Sequence, residues 1–331
     1  MAHEITASDT MLSTKEEWHN LQQELTPAEI ADPREAIKRA FPWEPQAVQL
    51  LRSTVNMELV DGYRLLVRSD NGAQLGMVSD AYQIGHNSLI AKVAHRLADY
   101  GCTVETAGSL KGGKIVYISL RDTTIDADIL AGDELKGYQL ITTRHDGLGS
   151  MRMAPTLIRV VCHNTYSRAG RDLQTNATLR WTHKEKFEDD EVRIQQMVDA
   201  ALNSRATAQR IVTANKALAA KPLTVAQIQD FFLKVYTAQF GSIHTVEATE
   251  AEAKANAKAV DTVRQWNNLI DAPTNTLPGM RGTGWAALNA VTEWTQHHKR
   301  TRGDQRHSAL VGATAQAVSN VHDLAYDLLL A

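Results

Sequence analysis

Tyr63-Arg-Leu-Leu-Val-Arg-Ser-Asp-Asn-Gly-Ala-Gln-Leu-Gly-Met-Val-Ser79 sets two short apolar runs on either side of Asp70-Asn71-Gly72. Asn-Gly accepts the positive φ angles that a tight hairpin turn requires, so Tyr63–Arg68 and Gln74–Ser79 are predicted as paired strands. Downstream, Leu89, Val93, Leu97 and Tyr100 recur at helical spacing, with Ile90 and Ala94 beside them. Asn87 or Ser88 can cap the start of that helix and Gly101 its end. Two further hairpins follow. Thr103–Ala107 meets Ile115–Leu120 through Leu110-Lys-Gly-Gly-Lys114, and Tyr138–Thr143 meets Leu157–Cys162 around His145-Asp-Gly-Leu-Gly149. The order hairpin, helix, hairpin, hairpin predicts an α+β fold in which one antiparallel β-hairpin sheet carries a packed helix.

On the N-terminal side, residues 1–50 hold nine acids against four bases. Thr26-Pro-Ala-Glu29 is a capping box with proline at the first helical position, and Asp32-Pro-Arg-Glu35 repeats the pattern. Pro42 and Pro45, around Trp43, stop any helix there. On the C-terminal side the texture turns helical, with apolar periodicity over Glu188–Lys221, Thr224–Gln239, Glu247–Leu269, Trp285–His298 and Ala309–Leu330, broken at Gly279–Gly284. Three regions result: an acidic helical N-terminal arm over 1–55, a β-rich α+β core over 56–187, and a helical C-terminal region over 188–331.

The chain of 331 residues is 43% hydrophobic and 22% charged, the balance of a folded globular protein. Its two cysteines, Cys102 and Cys162, make neither a disulfide framework nor a zinc quartet, and two buried free thiols are expected. Met1-Ala-His-Glu-Ile5 starts no signal peptide, and no run approaches the ~20 apolar residues of a membrane span, so a soluble cytoplasmic protein is expected. A formal charge of −3 argues against coating nucleic acid by bulk charge, which leaves a local basic patch as the form any such site would take.

Residues able to do chemistry are few. Arg144-His145-Asp146 and Cys162-His163-Asn164 lie near strand ends, but their spacing matches no common metal motif, and polar residues closing turns explain them. An enzymatic site would need His145, Asp146 and His163 to converge in one pocket. Lys111-Gly-Gly-Lys114 and Gly147-Leu-Gly149 have the look of phosphate cradles, yet neither runs into a helix through Gly-Lys-Ser/Thr, and hairpin turns account for both. No catalytic residue, metal or cofactor is expected. The stretch 144–186 holds eight bases against three acids, interleaved with Tyr166 and Trp181. Positive charge beside aromatic faces is what single-strand binding requires; a solvated basic face docked on the acidic arm is the alternative. A smaller cluster from His297 to His307 is either a second phosphate contact or a basic helix end.

Four blocks carry a resemblance: Thr106-Ala-Gly-Ser-Leu-Lys-Gly-Gly113, Thr142-Thr-Arg-His-Asp-Gly147, Arg159-Val-Val-Cys-His-Asn-Thr165 and Gly282-Thr-Gly-Trp-Ala-Ala-Leu-Asn-Ala-Val-Thr-Glu-Trp294. In that order, over roughly residues 60–320, they resemble the successive blocks of the phage/plasmid-like proteins of unknown function. The core of that family distantly resembles the strand-annealing proteins of the Rad and Redβ kind. The resemblance implies a mobile-element protein of the bacterial cytoplasm that binds and anneals single-stranded DNA as a homo-oligomer, a ring or a filament, without ATP or metal. It implies Arg152, Arg159, Arg168 and Arg171 as phosphate contacts and Tyr166 as a stacking residue; Lys111, Lys114, Arg144, Arg180 and Trp181 complete the candidate nucleic-acid-binding set. Two other functions stay open at this point: an accessory factor that binds a host protein, and an enzyme acting on nucleic acid or nucleotides.

Overall fold

The computed structural model describes residues 5–14, 21–52, 57–159, 164–166, 180–183, 190–241, 250–298 and 315–330. Strands and helices mix through the first half, and the C-terminal part is helical. In chain order the first elements are β1 (Met11–Ser13), β2 (Gln23–Glu24), α1 (Pro27–Ala31), α2 (Pro33–Ala40), β3 (Pro45–Arg52), β4 (Glu58–Arg68), β5 (Gln74–Ser79) and α3 (Asn87–Ala98). Then come β6 (Thr103–Leu110), β7 (Ile115–Arg121), β8 (Ala127–Leu130), β9 (Asp133–Arg144), β10 (Met151–Arg159), β11 (Asn164–Tyr166) and β12 (Arg180–Trp181). The remaining helices are α4 (Asp190–Ala219), α5 (Val225–Phe240), α6 (Glu250–Ile270), α7 (Gly284–Glu293), which runs on as a π-turn over Trp294–His298, and α8 (Ala315–Leu330).

The strands form two sheets rather than the single one expected. The larger has the order β11-β10-β9-β7-β6-β1-β2, with β12 also on β10 and β8 also on β9. Its pairings are antiparallel except β1 with β2. The first hairpin lies apart, in a three-stranded sheet β3-β4-β5. Its extra strand is Pro45–Arg52, a segment whose prolines only mark where a helix stops. Pairing with β4 gives that segment a ladder that no local signal encodes. Strands β1, β2 and β3 therefore all come from the acidic arm, next to its two helices. The second strand of the third hairpin begins at Met151 rather than Leu157, and Pro155 sits inside it. Proline is tolerated there because the outer edge of β10 pairs with β12 only at 151–152 and with β11 only at 157–159 among the described residues.

Local signals at helix ends hold. Thr26 and Glu29 form the capping box, Asp32 caps α2, and Thr224 with Gln227 forms a second box on α5. Helix α3 is capped from a distance: the Glu44 carboxylate accepts Asn87 N at 2.6 Å and Ser88 N at 2.8 Å, and the N-cap His86 makes no side-chain cap bond. Cys102 is a buried free thiol whose pKa burial pushes up to about 11, while Cys162 lies outside the described residues.

Two cores result. The first packs α2, α3 and the first turns of α4 (Ile194, Met197, Val198, Ala201) onto one face of the large sheet, through Val104, Ala107, Val116, Ile118, Leu120, Ile141, Met151 and Met153. The second gathers the helices, with Phe232 against Trp266 at 5.5 Å and Trp266 edge-on to Trp294 at 5.6 Å. Helix α4, 30 residues long, contributes to both, through 194–201 and then 208–219.

Two buried aspartates clasp the helical half onto the sheet. Asp122, 1% exposed, follows β7 and accepts Arg205 Nε of α4 at 3.0 Å, Gln139 Nε2 at 3.0 Å and Thr124 Oγ1 at 2.6 Å. Burial alone raises its pKa; the bonds from Thr124, Arg205 and Gln139 outweigh that and hold the carboxyl below its ordinary value. Asp133, at the start of β9, accepts Trp285 Nε1 of α7 at 2.6 Å. Asp122→Ala strands the Arg205 guanidinium beside a low-dielectric core and is expected to cost about 3–5 kcal/mol in denaturant unfolding. A cost below about 1 kcal/mol would show that this clasp does not hold the halves together.

Candidate nucleic-acid interface

Alternation along the large sheet divides its side chains into two sets. Val116, Ile118 and Leu120 go under the helices, so Tyr117, Ser119 and Arg121 face the other way and stay half-buried. The same parity puts Thr142, Arg144 and Arg152 on that open face. Strand register then draws one row across the sheet: Met11, Gly108, Tyr117, Thr142, Arg152 and Arg180 are successive cross-strand partners. Gly108 is required for close approach, since a Cβ there would lie 2.6 Å from the Thr10 carbonyl and 3.1 Å from the Tyr117 hydroxyl. At the end of the sheet nearest β1, Ile5, Leu110 and Ile115 form a small cluster with Met11 and Tyr117.

The candidate phosphate contacts do not share one setting. Arg152 donates Nε to Ser150 Oγ at 3.2 Å. Arg180 is its direct cross-strand partner. Arg144 is held by Asp146 in a short bidentate pair, both side chains largely buried, so its charge is matched within the protein. Lys111 and Lys114 lie in the β6–β7 turn, beside the β9–β10 turn, where His145 N donates to the Lys114 carbonyl at 2.8 Å. Arg159 pairs with Leu135 and Asn164, and Tyr166 and Trp181 pair with Leu157 and Met151. Those are the backbone positions that alternate with Arg152, the parity of the buried Met151, Met153 and Leu157. Arg168, Arg171 and most of the second basic cluster lie outside the described residues.

His145 and Asp146 do not form a catalytic pair, and His163 lies outside the described residues. His145 is fully buried, edge-on to Trp43 at 5.8 Å, with Nε2 2.9 Å from Asn87 Oδ1. Because Asn87 Nδ2 donates to the Trp43 carbonyl at 2.7 Å, its Oδ1 is the acceptor, which assigns the His145 proton to Nε2. Asp146 is used by Arg144 and by Leu148 N at 3.0 Å, closing the Gly147-Leu-Gly149 turn. Gly76 of the small sheet touches the Asp146 backbone, where a Cβ would come within 2.6 Å, and this contact docks the two sheets. His183 stacks on Tyr82 at 4.4 Å and bonds the Gln83 carbonyl through Nδ1 at 2.9 Å.

Two features of this end of the molecule escaped the sequence reading. The alternation in Ile115-Val-Tyr-Ile-Ser-Leu-Arg121 carries the signal for the outward Tyr117, once one face is known to be covered. Nothing in sequence marks Asp9, whose carboxylate accepts Gly112 N and Gly113 N at 2.8 and 2.9 Å and Ser109 Oγ at 2.7 Å. Among the described residues no cluster of three or more His, Cys, Asp or Glu is arranged to hold a metal. No helix of those residues is long and apolar enough to cross a membrane.

Residues 74–315, well over half of the chain, match the family described as a domain of unknown function, DUF932, and the chain belongs to that family. No curated protein and no solved structure matches it.

Burial depresses the His145 pKa to about 3, with His183 nearby adding to the effect. The unfolded chain binds that proton below about pH 6.5 and the folded chain does not, so this contribution is complete above about 6.5 and is lost toward pH 3. His183 is shifted the same way by burial. Unfolding free energy is expected to fall already between about pH 6.5 and 4.5, above the range where unfolded carboxylates titrate. His145→Asn should flatten that limb when unfolding is followed by circular dichroism across pH; an unchanged slope would rule out the buried neutral imidazole.

Proposed function

We propose that the protein binds single-stranded DNA on the open face of the large sheet and promotes strand annealing as a homo-oligomer, a ring or filament, without ATP or metal. The observation that carries this reading is the row Tyr117, Thr142, Arg152, Arg180. In backbone register it sets one aromatic, one hydroxyl-bearing and two basic positions in line across β7, β9, β10 and β12. Basic positions along such a row are what a phosphate backbone would meet. Aromatic rings beside such charge stack on bases without reading sequence. The hairpin sheet with a helix on its other face accords with a distant likeness to the Rad and Redβ annealing proteins, and with a role on phage or plasmid DNA in a bacterial cytoplasm.

A second reading, an accessory factor that binds a host protein, is favoured by a different surface. Strands β3, β4 and β5 expose Val48, Leu51, Leu59, Tyr63 and Met77, each at least 40% accessible. A pull-down that recovers one host protein, unaffected by nuclease, would favour it.

Fluorescence anisotropy with labelled single-stranded and duplex DNA across a salt series separates the two. Binding to single strands at low salt with a steep salt slope is expected, and Arg152→Ala should lower that slope by about 1. No affinity for single strands at low salt sinks the DNA reading.

A further inference from the structure

The β6–β7 turn is built as an anion site, and an anion of the same chain sits in it. Lys111, Gly112 and Gly113 take successive positive φ angles of 56°, 72° and 94°. In this left-handed turn the N–H groups of Gly112 and Gly113 point at one carboxylate and make an anion-binding concavity. Gly112 N reaches Asp9 Oδ2 at 2.8 Å, Gly113 N reaches Asp9 Oδ1 at 2.9 Å, and Ser109 Oγ reaches Oδ1 at 2.7 Å. Ser109 is 1% exposed, so its hydroxyl is a fixed, desolvated donor. Thr6 adds its own N–H at 2.8 Å and hydroxyl at 2.7 Å, both to Oδ2. Five donors therefore converge on one carboxylate, three from the hairpin and two from the arm.

The turn cannot take another shape easily. Gly113 lies under Trp43, where a Cβ would come within 2.6 Å of the indole. The Trp43 ring is itself covered by the Arg68 guanidinium at 4.6 Å, and Arg68 donates to the Ser8 carbonyl at 2.9 Å. Lys111 and Lys114 bracket the glycines. The occupant is held separately. Leu12, fully buried, anchors β1 in the main core, whereas Thr6 and Ser8 are exposed. Thr6–Asp9 is thus an exposed to half-buried span between the anchors Ile5 and Leu12, and its displacement breaks the Arg68 bond to the Ser8 carbonyl.

We infer that the Ser109–Gly113 turn is a phosphate-binding nest, for a free phosphate or a nucleic-acid backbone phosphate, and that Asp9 is an intramolecular stand-in which a phosphate group displaces. A phosphate takes the three hairpin donors that the carboxylate held, Ser109 Oγ, Gly112 N and Gly113 N, and its greater charge strengthens those bonds. The backbone-phosphate form of this inference rests on the DNA reading above; the nest itself does not.

The test uses the full chain at low ionic strength with inorganic phosphate and, separately, a thymidine homopolymer. Asp9→Ala is expected to bind inorganic phosphate on the order of tenfold or more tighter than the unsubstituted chain, and Ser109→Ala in that background to abolish the gain. Asp9→Ala with intact hydrogen-exchange protection at Ala107 and Ile118 but no gain in phosphate affinity overturns the nest. If Asp9→Ala instead loses that protection, the unsubstituted chain decides. Faster exchange over residues 6–10 with rising phosphate supports displacement of Asp9, and unchanged exchange overturns it. Phosphate binding to Asp9→Ala without homopolymer binding keeps the nest and removes DNA as its ligand.

Discussion

A buried carboxylate with a cation from the other half of the chain is the constraint on which the architecture rests. Asp122 is nearly inaccessible to water, so its charge is tolerable only with Arg205, Gln139 and Thr124 bonded to it. Arg205 lies on α4 between the residues that line the first core and those that line the second. Fixing that one position sets where both ends of a 30-residue helix lie, and with it where the helical half meets β8, β9 and β10. Asp133 and Trp285 repeat the device one element further on, from β9 to α7. Satisfied in both places, these contacts orient more than they stabilise.

With α2, α3 and α4 committed to one face of the large sheet, the other face carries polar and aromatic side chains, with Tyr117 packed at one end beside Ile5, Leu110 and Ile115. That asymmetry produces the candidate interface. Tyr117, Thr142 and Arg152 come from three different strands and meet only because of cross-strand register. The same open face is not uniformly basic, because Arg144 is matched by Asp146 and Arg121 by Asp126. At the β6–β7 turn the acidic arm contributes Asp9, placed on the backbone amides.

Legibility followed the range of the interactions involved. The capping box at Thr26, the Asn71-Gly72 turn and the amphipathic helices depend on residues within about a turn of one another, and the structure places them within a few residues of the sequence reading. Strand β3 was not legible, because Pro45 signals a stop and its pairing partner lies across the turn to β4. The early start of β10 was hidden by Pro155, acceptable only where a strand edge is free. The cap of α3 was hidden for a similar reason: Glu44 lies more than forty residues upstream of the amides it satisfies.

From residue 58 on, sequence alone determined the hairpin–helix–hairpin–hairpin order, the helical C-terminal region and the concentration of bases over 144–186. Those follow from φ preferences, side-chain periodicity and composition, which act within a short window. Tertiary structure decided that the first hairpin forms its own sheet, which face of the large sheet stays open, and which arginines are already paired. It also decided that the Asp9 carboxylate fills the glycine turn. Each depends on groups distant in the chain meeting at hydrogen-bond range, and residue identity does not specify a partner until the chain is folded.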